Sequence, residues 1–336
     1  MPKPILLLLD HWHDQEEITG EPIAGTRFFI LKSMLTAAGI SLTDCEATNV
    51  FNLNVSDLSR LYVPKAQGMK GYPAVASGKY IDATLAPHLN RLAEQVTRHN
   101  PNLVIALGPA ALWAMTGLSG QKKYRGTPLL ARDKTTKVLA TWSPEQVMRQ
   151  WPLRPIAIAD LSKAARESTT RTITRPSRQI WIEPSIADIE HFYEEHIIPA
   201  AALSCDIETA GGTITEVGYA VSPSLALVIP FLSRRFPDGN YWRTFADEKR
   251  AWDIIRLINT TKPVFGQNFQ YDMQYFWKTV GIPCPLVCDD TMLLHHTLQP
   301  EMQKGLGFLG SVYTDEQAWK FMRHENAEHY KQGEDQ

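Results

Sequence analysis

A strand that carries two carboxylates on one face constrains this chain more than any other feature. The run Leu203-Ser204-Cys205-Asp206-Ile207-Glu208-Thr209 follows apolar residues and reads as a buried strand. Residues two apart in a strand project from the same face, so Asp206 and Glu208 stand side by side. Two adjacent buried anions repel unless something cationic lies between them. Oxygen ligands converging from rigid backbone suit a hard divalent ion, Mg²⁺ or Mn²⁺, better than zinc. Taken alone, an acid-x-acid triplet is better read as two surface acids at a strand end.

Sixty residues on, Pro263-Val264-Phe265-Gly266-Gln267-Asn268 reads as a strand leaving into a polar turn, and Phe269 to Val280 reads as a helix with Asp272 in its first turns. If the helix begins near Asn268, Asn268 and Asp272 face the same way at its N-terminal end. An Asp-x-Glu strand followed by Asn-x-x-x-Asp opening a helix resembles the first two motifs of the DnaQ-like 3′–5′ exonucleases, most closely the proofreading domain of family A DNA polymerases. Asp290-Thr291-Met292-Leu293-Leu294 and Lys304-Gly305-Leu306-Gly307-Phe308-Leu309 resemble the helices after the second motif in phage-type members. The resemblance runs from about Ser177 onward.

It implies a ribonuclease-H-like mixed sheet and a metal-dependent 3′–5′ exonuclease that uses two Mg²⁺ or Mn²⁺ ions to hydrolyse phosphodiesters at a single-stranded DNA 3′ end. On the same resemblance, Asp206 bridges the ions, Glu208 binds the first and Asp272 holds the second. Asn268 supports the ligands or the substrate end. The family's third motif adds a Tyr or His and a fourth acid. Tyr330 and Glu334 copy that spacing with Glu in place of Asp, but the stronger expectation is that the chain stops before the motif. The implied setting is the front part of a phage DNA polymerase in the host cytoplasm, with the polymerising part on a separate polypeptide. The alternative is a non-catalytic DNA-binding or scaffold protein derived from enzyme domains.

A chain of 336 residues is long enough for two domains with their own cores. A formal net charge of −2 gives no global basic signature, so contact with nucleic acid must come from local patches. The four cysteines, Cys45, Cys205, Cys284 and Cys288, are scattered, and Cys205 sits inside a core strand. That favours free thiols in a reducing cytoplasm. The apolar run from Pro4 to Leu9 is too short to span a bilayer and meets Asp10 at once.

The first half alternates strands and helices. Ile5 to Leu9 is a fully apolar strand, Thr26 to Ala38 has helical spacing, and Leu103 to Leu107 is a strand that turns through Gly108-Pro109 into a helix. These mark a three-layer α/β domain. Thr19-Gly20-Glu21-Pro22-Ile23-Ala24-Gly25, Thr48-Asn49-Val50, Leu107-Gly108-Pro109-Ala110-Ala111, Arg125-Gly126 and Thr141-Trp142-Ser143-Pro144 resemble pieces of the uracil-DNA glycosylase superfamily. The resemblance gives Asn49 the place of the base-reading residue. It also exposes departures: the Gly-rich first motif is replaced by Leu9-Asp10-His11-Trp12-His13-Asp14, and Ser143 stands where the family has its catalytic-loop His. The cysteines that hold the family's iron–sulfur cluster are missing, so no such cluster is expected. A hydroxyl stabilises a leaving uracil anion far less well than an imidazole, so this domain is expected to be inactive.

His11, His13 and Asp14 form a short polar cluster that could be a replacement metal site. A surface loop after a strand is the stronger reading, because no distant partner is visible. Lys122, Lys123 and Arg125 could grip phosphates or simply be solvated. The polar run Glu167 to Arg178, with Arg171, Arg175 and Arg178, reads as a linker. The expected layout is therefore a glycosylase-like domain over 1–167, a linker over 168–178 and an exonuclease-like domain over 179–336.

Overall fold

The computed structural model describes residues 3–316. The expected Tyr330 and Glu334 lie outside the described residues. The described residues divide into two compact units, 3–174 with 307–316, and Arg175–Leu306. Both are mixed α/β, with sheets that contain parallel pairings.

In the first unit the strands β1 (Ile5–Trp12), β2 (Cys45–Asn54), β5 (Leu103–Leu107), β6 (Pro128–Leu130) and β7 (Lys137–Thr141) form one sheet in the order β2-β1-β5-β7-β6. A separate small ribbon pairs β3 (Tyr62–Val63) with β4 (Tyr80–Ile81). The pairings β1 with β2, β1 with β5 and β5 with β7 are parallel, and β6 runs antiparallel to β7. Parallel strands need covering on both faces, and the sequence shows it: every residue from Ile5 to Leu9 is buried. Leu6 and Leu8 enter one apolar cluster, while Ile5, Leu7 and Leu9 enter another on the opposite face.

The covering helices are α1 (Asp14–Thr19), α2 (Gly25–Ala37), α3 (Ala86–His99), α4 (Pro109–Thr116), α5 (Gln121–Tyr124), α6 (Pro144–Arg149) and α7 (Leu153–Glu167). Local chemistry fixes several ends. Asn100, in the left-handed region, closes α3 after Arg98 and His99. Ser143 opens α6 through a reciprocal capping box with Gln146, and Pro144 occupies the first turn.

The second unit holds β8 (Gln179–Trp181), β9 (Leu203–Ala210), β10 (Thr213–Ser222), β11 (Leu225–Pro230), β12 (Val264–Gly266) and β13 (Val287–Asp290) in the order β13-β12-β9-β10-β11-β8. β10 is antiparallel to both β9 and β11, whereas β9, β12 and β13 run parallel. Its helices are α8 (Ile186–Phe192), α9 (Phe245–Thr261), α10 (Gln270–Val280) and α11 (Thr291–Leu298). The core gathers Leu203, Cys205 and Ile207 from β9 with Ile254, Ile255 and Ile258 from α9. That arrangement leaves the other face of β9 to Asp206 and Glu208.

The last described helix, α12 (Leu306–Tyr313), brings Ser311 to the first unit, where Arg125 donates to its hydroxyl at 3.2 Å. Residues 307–316 group with the first unit. The linker is partly tied down as well: Asn102 Nδ2 donates to Ser168 O at 2.8 Å, and buried Lys137 donates to Thr172 O at 3.1 Å. Arg171 donates to the carbonyl of Asn100, so its charge is engaged with protein. Among the described residues no helix is long and apolar enough to cross a membrane.

Candidate active site and a polar cluster in the first unit

Asp206 and Glu208 lie on one face of β9, alternating with the buried Cys205 and Ile207, which turn the other way. Gly218 stands opposite Asp206 on β10, and Glu216 stands opposite Glu208. Glu216 is thus a third acid on this face, brought there by antiparallel register. Spacing along the chain contains no signal for it.

Asp272 comes from the first turn of α10 and is buried. Its Oδ1 accepts a 2.9 Å hydrogen bond from the amide of Ile207, the residue between Asp206 and Glu208. Burial pushes the Asp272 carboxyl up to about 7 despite that bond, and the charges of Asp206 and Asp290 add to the rise. A carboxylate in this position favours a neighbouring cation, and the donor set is all oxygen, which fits Mg²⁺ or Mn²⁺. The ligand atoms of Asp206, Glu208 and Asp272 do not form a triple lying within 4.8 Å of one another.

Asn268 departs from the expectation. The helix starts at Gln270, and Asn268 sits before it with φ +56°, in the left-handed region that asparagine tolerates. The inference that Asn268 and Asp272 share a helix face therefore fails. Asn268 instead donates its amide to Asp290 Oδ1 at 3.0 Å, and Phe269 donates to Asp290 Oδ2 at 2.8 Å. Asp290 also accepts from the amide of Met292 at 2.8 Å, so this one acid organises the turn before α10 and caps α11. Close to the acids, Thr209 and Tyr271 share a 2.8 Å hydroxyl hydrogen bond.

In the first unit, Asn49 is buried and its polar atoms are used internally. Trp12 Nε1 donates to its Oδ1 at 3.1 Å, and its Nδ2 donates to His11 O at 3.4 Å. Ser143 Oγ accepts from Gln146 N at 3.2 Å as the cap of α6. Asp10, where the resembled family has a glycine-rich turn, accepts from the amide of Ala111 at 2.8 Å, and burial pushes its carboxyl up to about 7. Gly108 is bound to this arrangement: a Cβ there would lie 2.4 Å from Asp10 Oδ2. Arg125 is buried against Asp160 at 3.0 Å, so it is a core ion pair and not a phosphate grip.

The distant partner that the sequence does not reveal for His11 and His13 is Glu145. His13 Nε2 lies 3.0 Å from Glu145 Oε2, and the two imidazole rings are 4.7 Å apart. One ligand atom from each of His11, His13 and Glu145 lies within 4.8 Å of the other two. Asp14, the partner suggested by sequence, accepts from Asn54 Nδ2 at 2.9 Å. Burial holds the His11 imidazole below its ordinary range, with His13 adding to the effect. No protein-family model matches the chain, and no curated protein matches it.

Proposed function

We propose that this chain is a metal-dependent 3′–5′ exonuclease of the proofreading type acting on DNA, carried by Asp206, Glu208 and Asp272. The observation that supports it most is the docking of Asp272 on the amide of Ile207, which brings a third, buried carboxylate to the strand segment that already carries the other two. The sheet order supports it as well. Numbered from β9, the five strands β9 to β13 run 3-2-1-4-5 with the second antiparallel, a mixed sheet of the kind that the exonuclease resemblance implies. Asp206, Glu208 and Asp272 would hold the ion or ions, which when bound supply an activated water and charge stabilisation at the leaving oxygen. The chain's own contribution is placement: β9 fixes two acids in register, and the Ile207 amide fixes the third.

The first unit supports a glycosylase-derived but inactive reading. Its parallel strands follow the order 2-1-3-4, yet Asn49 is spent on Trp12 and His11, and Ser143 is spent on a helix cap. No uracil excision is expected from single- or double-stranded DNA. Abasic-site formation that disappears in Asn49→Ala would contradict this.

The second reading is a non-catalytic DNA-binding or scaffold protein. Shortening of a 5′-labelled single strand in Mg²⁺ or Mn²⁺ decides between the two. The exonuclease reading expects trimming that is strongest in Mn²⁺ and abolished by Asp206→Ala. Binding of the strand without trimming, in either ion, selects the second reading.

A further inference from the structure

The cluster His11, His13 and Glu145 is separate from the acids on β9, and it is assembled by the tertiary fold. His11 is the penultimate residue of β1, and His13 follows at the start of α1. Glu145 arrives from the first turn of α6, far along the chain. Three side chains of ligating type thus meet from rigid element ends, the kind of backing that a pre-formed site needs.

The geometry suits a small, borderline dication. In a tetrahedral zinc site with ligand bonds near ~2.0–2.1 Å, ligand atoms are about 3.3 Å from each other. His13 Nε2 and Glu145 Oε2 already stand 3.0 Å apart, and all three ligand atoms lie within 4.8 Å. A modest side-chain contraction from within 4.8 Å would bring the set to the ligand spacing of such a site. His11 Nδ1 lies 2.8 Å from Trp12 O. A proton on Nδ1 donated to that carbonyl leaves Nε2 with its lone pair, the supporting hydrogen bond that orients ligating histidines. Glu145 is braced in the same way, since Arg149 donates to its Oε1 while Oε2 faces His13. His13 and Glu145 remain about a quarter exposed, at 25% and 24%, so an ion has a path in.

We propose that His11, His13 and Glu145 bind one Zn²⁺-class ion, leaving at least one coordination position open to water or a small anion. Two imidazoles with one carboxylate is a donor set suited to zinc and poorly suited to Mg²⁺, which prefers oxygen ligands in octahedral array. The ion would bridge the end of β1 to the start of α6, tightening a join that the His13–Glu145 contact already makes.

The test uses the full chain stripped with a chelator, then titrated with ZnCl₂ by calorimetry and with CoCl₂ by visible absorption. The wild-type chain should take up Zn²⁺ and show the intense bands of tetrahedral Co²⁺. His13→Ala should remove those bands, and Glu145→Gln should weaken Zn²⁺ affinity by at least about tenfold. Asp206→Ala should leave the tetrahedral Co²⁺ bands unchanged, which separates this site from the acids on β9. Both variants change partly exposed side chains, and metal-free melting curves matching wild type establish that they fold. Tetrahedral bands that persist in both His13→Ala and Glu145→Gln overturn the assignment, as does a wild-type chain that takes up no Zn²⁺ and shows no such bands.

Discussion

Asp272 on α10 accepts the backbone amide of Ile207 on β9, so one hydrogen bond joins the helix to the strand between Asp206 and Glu208. That bond and the negative charge of Asp272 are separable by mutation. Asp272→Asn keeps an acceptor for Ile207 N but cannot become an anion. It should melt close to wild type while losing trimming by orders of magnitude, because members of one catalytic unit are not additive. Asp272→Ala leaves a buried amide unsatisfied and should cost about 1–3 kcal/mol in addition. Urea denaturation beside the labelled-strand assay reads both effects. Full trimming by Asp272→Asn would remove this residue from the site.

Asp10 offers a test in pH. Its folded-state value, about 7, lies above the ordinary 3.8, so the native state binds the extra proton. The sign follows: this contribution to stability is fully present below about 3.8 and is lost as pH rises through about 7. Asp10→Asn retains an acceptor for Ala111 N and removes the titration. The loss of melting temperature between about pH 5 and about pH 8 should shrink in the variant. It should not vanish, since Asp160, raised to about 6 by burial, acts with the same sign.

Gly266 sits where β12 passes β9, and a Cβ there would lie 2.5 Å from Phe269 Cδ2 and 2.9 Å from Cys205 O. Cys205 O belongs to backbone and cannot swing away. Gly266→Ala should therefore destabilise the second unit by about 1–3 kcal/mol and reduce trimming by displacing Asp206. Equilibrium denaturation with unchanged midpoint would show that the strands have more room than this spacing allows.

Arg125 and Asp160 form a buried pair, and Thr141 Oγ1 also donates to Asp160 at 2.7 Å. Asp160→Ala leaves the guanidinium buried without its counter-charge, and a loss of about 3–5 kcal/mol is expected. The double variant Asp160→Leu with Arg125→Met should recover much of it. Chemical denaturation of the single and double variants gives the comparison.

Alternation and apolar runs make the elements legible in the residues themselves. Ile5 to Leu9 has to be covered on both faces, and Asp206 and Glu208 have to share one face. Both follow from the backbone's own period over a few residues. The candidate site is legible to the same depth. Asp206, Glu208 and Asp272 are readable as residue types in order, whereas the placing of Asn268 is not, because a left-handed turn pushes the start of the helix to Gln270.

Tertiary structure decided what lies far apart in the chain. Asp290 organises the turn before α10, α12 places Ser311 on Arg125, and Glu145 meets His13. None of these pairings is encoded in local periodicity. Each depends on which strands neighbour one another and on where a crossover returns the chain, and these are set by how whole apolar faces are buried together.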